Sequence, residues 1–439
     1  MTNELTISKI RVHGLFRISA FKQLLLSLLL LYFLNFLLEW NYFSFVSPSY
    51  SQYNFPLNFN FIKYIEVKVM LLILSIGIWQ LFYQNKFLFS IFILLIFFFF
   101  IPASILFSYS NFSRAPIYSI FFMLFTILCI SKLKIKIIYI QMPELYKILG
   151  LFTLILIFII PFIYKFGFYI NIENIFLKDV NETRKIFSLN CTGLFDYFFN
   201  WLSKVILPVS FIYFLIKKKY FLSIFAISCL FYLYFISGNR ITYLTCFAMF
   251  FFYVFGKTFS EKILWFLAIV ILVLLCLPLI DSLFYNSPIM QGTFVMRMLF
   301  FPSLLNHYYF DFFAGRPLFF AESQFFNLLV PNPYSMKIGH LISQTYFNTL
   351  NMYANNGIVS DGFMNLGFFG VFLNSIILSI IFLFFGSIKI DTSFFGYFIV
   401  LIFLLLSTPM FTVINTSGLW LMFLLALILK DNKKVIPAT

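Results

Sequence analysis

Apolar residues along this chain come in runs, and polar residues gather in the stretches between them. Windows of about 19 residues give twelve candidate membrane spans, at about 21–39, 65–83, 87–107, 115–131, 146–164, 199–216, 220–236, 241–256, 263–280, 362–386, 393–410 and 417–430. Most approach the ~20 residues that cross about 30 Å of hydrocarbon as a helix; the eighth and twelfth are the shortest. A tight hairpin through "ISGNRIT" joins the seventh and eighth. The pattern predicts an all-α, polytopic integral membrane protein with about twelve transmembrane helices. It forms one domain over residues 1–439, with no internal repeat and no Pro/Ser-rich linker. Two connections are long, about 165–198 and 281–361. Connections of that length usually carry function.

Composition agrees with the pattern. With 62% hydrophobic and 10% charged residues, a soluble globule would expose more apolar surface than water tolerates. The first apolar run, from Phe21, is longer than a signal-peptide core and has no small-residue cleavage site after it. Of the five cysteines, only Cys191 falls in an extramembranous connection, and no Cys/His spacing points to zinc.

Charge then orients the chain. With the N-terminus inside, the inner segments hold 18 of the 30 Lys and Arg but 5 of the 15 Asp and Glu, leaving +13 inside and +2 outside. "KLKIK" and "KKK" both fall on the inner side, as the positive-inside rule requires. Both termini are then cytoplasmic and both long connections are outside. The net charge of +15 reflects topology and contact with anionic membrane lipids, not nucleic acid.

The spans are nearly free of charge. Lys68 and Lys204 stand near outer ends, where they can snorkel. Ion-coupled carriers usually place ionisable groups near the midplane, so the pattern argues against one. The outer connections hold the candidate chemistry. Arg240 stands in "SGNR", Arg297 follows "PIMQGTFVM", Arg316 lies in "AGRP", and Arg184 belongs to the earlier connection. A guanidinium stays charged and pairs bidentately with phosphate oxygens; each arginine also suits an interfacial anchor.

In "RMLFFPSLLNHYYFDFF", His307 and Asp311 are four apart and share a helix face. That spacing fits a carboxylate-oriented general base or an ordinary ion pair. The aromatics around them suit a sugar ring or a headgroup-level belt. His340, in "KIGHLIS", has no acidic neighbour. In "ANNGIVSDGFMNLGFFGVF", Ser360 or Asp361 can cap the tenth span. Gly357 suits a turn, and Gly367 and Gly370 allow close helix contact. Asp361 and Asn365 fall on one face, with Asn356 beside them, where they can receive a sugar hydroxyl and its proton. DxD, P-loop and GxSxG motifs are all absent.

Twelve spans, basic inner connections, "SGNR", "RMLFFPSLLNHYYFDFF" and "ANNGIVSDGFMNLGFFGV" together resemble the Wzy-type O-antigen polymerases of bacterial envelopes. The resemblance covers most of the second half; the first half matches only as hydropathy. It implies metal-independent glycosyl transfer, without a cofactor, on the outer face of the bacterial inner membrane. The donor would be a glycan on undecaprenyl pyrophosphate and the acceptor a lipid-linked repeat unit, with a chain-length regulator as protein partner. Arg240 and Arg297 match the family's outer-loop arginines; its paired-arginine repeat is not evident. On this scheme Arg240, Arg297 and Arg316 stabilise the leaving pyrophosphate, Asp361 or His307 serves as base, and Arg184, Asn356, Asn365 and Asp311 bind substrate. An O-antigen ligase shares this topology. A lipid-linked oligosaccharide flippase is a further alternative, but should show two related halves.

Overall fold

The computed structural model describes residues 20–137, 141–168, 180–285, 287–323 and 329–430. Lys9, Arg11, Arg17, Lys433 and Lys434, counted above to the inner side, lie outside the described residues, as do both termini. Every described regular element is a helix. In chain order these are α1 (Ala20–Ser49), α2 (Phe61–Gln84), α3 (Lys86–Ser108), α4 (Ala115–Ile130), α5 (Glu144–Phe166), α6 (Val180–Asn190), α7 (Leu194–Ile216) and α8 (Tyr220–Ser237). There follow α9 (Arg240–Val254), α10 (Phe259–Tyr285), α11 (289–312), α12 (Ile338–Phe347), α13 (Ile358–Ile388), α14 (Thr392–Leu405), α15 (Met410–Ile414) and α16 (Leu419–Leu429).

Eight of these, α1, α2, α3, α5, α7, α8, α10 and α13, are long and apolar enough to cross a membrane. The other four expected spans coincide with the shorter apolar helices α4, α9, α14 and α16. Polar side chains set several boundaries. Asn60 accepts the Lys63 N–H at 3.1 Å to begin α2, and Asn85 accepts the Phe87 N–H at 3.0 Å to begin α3. Thr258 accepts the Glu261 N–H to begin α10. Each cap satisfies a backbone donor that the helix itself leaves free.

The bundle is built around α3, whose apolar stretch is wholly buried. It packs against α2, α10, α13 and α14. The connections sort to two ends. At one, Asn85 donates to the Gly386 carbonyl at 3.4 Å, Thr392 to the Lys257 carbonyl at 3.0 Å, and Lys147 to the Lys430 carbonyl at 2.6 Å. Lys217 pairs there with Glu144 at 3.2 Å. At the other end, the Asn58 and Asn60 N–H groups donate to Tyr109 and Ser108 carbonyls, each at 2.9 Å. Also at that end, Trp201 donates to the Asn415 carbonyl at 2.8 Å. The segments assigned by charge to one side thus meet one another, and those assigned to the other side do likewise.

Lys68 and Lys204 do not simply snorkel. Lys68 pairs with Glu39 at 3.1 Å, and Lys204 donates to the Ser417 hydroxyl at 3.3 Å.

The helix α13 departs from a straight span. Leu366 (φ −136°, ψ 17°) and Gly367 (φ 62°, ψ −146°) are not helical, and the left-handed φ is one that glycine adopts freely. The chain reverses there, so residues 358–365 form a short arm folded against the start of a second arm, 368–388. A Cβ placed on Gly362 would come within 2.7 Å of the Gly370 carbonyl, and one on Gly370 would fall onto the Gly362 carbonyl oxygen. Contact this close between backbones is open only to glycine. The continuous span 362–386 expected from hydropathy is therefore a helical hairpin; apolar content reports burial, and carries little information about a single reversal.

Candidate functional site

The short arm places Asp361 in the interior, at 5% exposure. Its carboxylate accepts the Asn365 amide at 3.0 Å and the Asn356 amide at 3.5 Å. The Asn374 amide and the Met410 N–H lie close enough to favour its charged form. A buried carboxylate is stable only with such partners. Asp361 and Asn365 share a face, as their spacing implies. The carboxylate is not open to a substrate hydroxyl, however, because it is buried and already holds the amides of Asn356 and Asn365. Asp361 ties the hairpin to its neighbours. Ser360 accepts the Gly357 N–H at 3.0 Å and donates back to the Gly357 carbonyl, so it holds the first turn from inside the helix.

Arg316 is exposed and leads into a strap laid across the end of the short arm. The Leu318 N–H donates to the Met364 carbonyl at 2.9 Å, the Phe319 N–H to the Asn365 carbonyl at 3.0 Å, and the Phe320 N–H to the Asn365 side chain at 2.9 Å. The first two satisfy backbone carbonyls left free where the helix stops. Phe319 and Phe320 both adopt positive φ, 50° and 61°, a costly backbone for residues with a Cβ.

His307 and Asp311 do not form a dyad. The His307 ring stacks on Phe112 with centroids 4.6 Å apart, and neither ring nitrogen has a partner among the described residues. Burial, with a smaller contribution from Lys63, lowers its pKa to about 3, so it is neutral at working pH and ill suited to take up a proton. Asp311 instead accepts the Tyr346 hydroxyl at 2.6 Å; burial, together with this hydrogen bond, raises the tyrosine's pKa. The four-residue spacing is right for a pair, but tertiary packing turns each side chain to another partner. His340 contacts the Met352 carbonyl at 3.2 Å and stands edge-on to Tyr353.

The arginines do not converge on one point. Arg184 donates to the Gly238 carbonyl at 3.0 Å, which docks α6 onto the hairpin that carries Arg240. Arg240 opens α9, and only its backbone is described. Arg297 is exposed on α11 and has no hydrogen bond or ion pair among the described residues. It lies fourteen residues before Asp311 on one helix, or about 20 Å along the axis.

A different arginine occupies a more telling place. Between α2, α4 and the second arm of α13 lies an open, apolar groove of about 550 Å3, walled by Met70, Phe122, Phe125, Phe368, Val371 and Phe372. Tyr118 lines it too and donates to Glu66, and Glu66 pairs with Arg114 at 3.2 Å. The Arg114 side chain stays half-exposed, at 52%. Sequence reasoning missed this site. "NFSRAP" begins a span whose apolar residues look like any others, and the groove needs residues from three helices. Its one legible signal was the polar-then-apolar stretch from Ala354 to Phe372, which supplies both the Asp361 cage and one wall of the groove.

No protein-family model, curated protein or solved structure matches the chain.

Proposed function

We propose that this chain is an oligosaccharide repeat-unit polymerase, a metal-independent glycosyltransferase using undecaprenyl-pyrophosphate-linked donors. On this proposal it crosses the bacterial inner membrane twelve times with both termini in the cytoplasm, and works at the outer face. The observation that carries the proposal is the groove: an apolar channel open to the side of the bundle, with a guanidinium at the helix start beside it. That combination suits a polyprenyl tail and its diphosphate. The resemblance in "SGNR", "RMLFFPSLLNHYYFDFF" and "ANNGIVSDGFMNLGFFGV" supports the same class.

In the proposed reaction, a hydroxyl of the acceptor unit attacks the anomeric carbon of the donor glycan. A new glycosidic C–O bond forms as the bond to the pyrophosphate oxygen breaks, and the electron pair leaves with undecaprenyl pyrophosphate. Arg114, which Glu66 holds through Nε alone, meets the charge that develops there with its terminal nitrogens, because cations act most strongly where charge appears in the transition state. On the same reading Arg297, Arg316 and Arg240 add long-range positive potential at the outer end without meeting at one point. With Asp361 enclosed and His307 neutral, the exposed Asp311 takes the hydroxyl proton. The acceptor glycan and a chain-length regulator are the proposed partners.

The test is the lipopolysaccharide ladder of a deletion strain carrying this chain. A restored ladder supports the polymerase. A single repeat on the lipid core, despite expression of the chain, overturns it. Loss of all attached O-antigen in the deletion strain identifies a ligase instead.

A further inference from the structure

The connection that leads into α4 borders a second cavity, on the opposite side of Phe112 in sequence from Arg114 and the groove. This pocket, of about 480 Å3, is walled by Ser51, Asn54, Asn58, Asn111, Phe55 and Phe112. Its size lies within the ~300–1,000 Å3 of small-ligand sites. Three asparagines and a serine face it, and no described wall residue carries a charge. The side chains of Asn58 and Asn111 are exposed and make no hydrogen bond to any described residue. Phe112, by contrast, is held in place by the stacked ring of His307. The backbone behind it is fixed as well, since Lys63 donates to the Ser110 and Phe112 carbonyls at 2.8 Å each.

An amide carries both donors and an acceptor, so paired amides match groups that also do both. Sugar hydroxyls are such groups. A phosphate or carboxylate would meet no charged wall residue, and the Lys63 ammonium behind the wall is already engaged by two carbonyls; an apolar ligand would strip water from Asn58 and Asn111 for nothing. The rigid ring supplies a flat apolar surface for the C–H face of a pyranose. We propose that this pocket binds a neutral sugar residue of the lipid-linked substrate. His307 is then a positioning residue, keeping Phe112 in register.

The proposal rests on the polymerase reading for its substrate, but its test does not. Purified full-length protein in detergent is examined by saturation-transfer NMR with glucose, galactose, rhamnose and N-acetylglucosamine, and with glucuronate as the charged comparison. Transfer to the ring protons of at least one neutral sugar is expected. The double variant Asn58→Leu, Asn111→Leu should bind it at least ~10-fold more weakly, the loss of about 1.4 kcal/mol in hydrogen bonding. Phe112→Leu, which keeps the wall apolar, should also weaken it. Lys217→Gln, at the far end of the bundle, should change nothing. No transfer to any neutral sugar, a preference for glucuronate, or transfer that both pocket variants retain would overturn the pocket. Sugar binding without a restored ladder leaves the pocket standing and removes the polymerase; a ladder unaffected by the pocket variants does the reverse.

Discussion

The side-chain amide of Asn374 donates to the Ile358 carbonyl at 2.9 Å, although the two residues are sixteen apart in the same helical segment, Ile358–Ile388. In a straight helix they would stand about 24 Å apart. The contact exists because the chain reverses at Leu366 and Gly367, and it makes the reversal a structural unit with its own seam at Gly362 and Gly370.

Gly370→Ala should therefore lower the melting temperature of the detergent-solubilised protein, since the added methyl group collides with backbone and not with a mobile side chain. A cost of about 1–3 kcal/mol is expected. Gly150→Ala, where nothing lies within 4 Å of the new methyl group, should leave the melting temperature unchanged or slightly raised. Equal melting of the two variants would remove the seam.

Asp361→Asn should act on stability first. The substitution replaces one carboxylate oxygen by a donor that faces the donors of Asn356, Asn365 and Asn374, at a cost of about 1–3 kcal/mol. Thermal melting together with activity below the lowered transition separates the roles. Activity that is abolished while melting is unchanged would make Asp361 the proton acceptor after all.

The pH dependence of stability carries a signature of His307. Its folded pKa of about 3 lies below the ordinary ~6.5 of the unfolded chain, so the unfolded state binds the proton first. Stability from this group is fully present above about pH 6.5 and falls as pH drops toward 3, by up to about 1.4 kcal/mol per unit. His307→Phe should flatten the acid limb of the melting-temperature profile between about pH 6 and about pH 4. An unchanged acid limb would contradict the burial. The activity profile of the wild type should show no step from this residue near neutrality.

Much of the fold was legible in the sequence because lipid-spanning helices need long apolar runs, and each expected run falls on helical segments, the tenth on a hairpin instead of one straight helix. Connections that charge groups together do meet one another, as Lys147 and Lys430, or Lys257 and Thr392, do at one end. The site was less legible. Asp361 and Asn365 stand out as a pair by their spacing, but spacing does not show whether a carboxylate faces solvent or interior. His307 and Asp311 have the right separation and different partners. Arg114, Asn58 and Asn111 carry no signal of their own, because their meaning comes from elements distant in sequence that pack around them.

Arg114→Gln should reduce polymer formation by about 100-fold, the scale of losing one preorganised charge contact in a transition state. Arg114→Lys should recover only part, because an ammonium lacks the bidentate fork. Arg240→Ala should leave single repeats attached to the lipid core. Arg184→Ala, which frees the Gly238 carbonyl, should have the milder effect of loosening that hairpin. Ladders measured at matched protein abundance check all four, and wild-type ladders from Arg114→Gln and Arg240→Ala would rule out these cations.

The most direct measurement is reconstitution. The purified chain is placed in liposomes with undecaprenyl-pyrophosphate-linked single repeat units, a chelator and no nucleotide, and product length and lipid release are followed together. Glycans of two or more units should appear with one undecaprenyl pyrophosphate released per bond formed. Single units that persist unchanged in the presence of folded protein would contradict the proposed function.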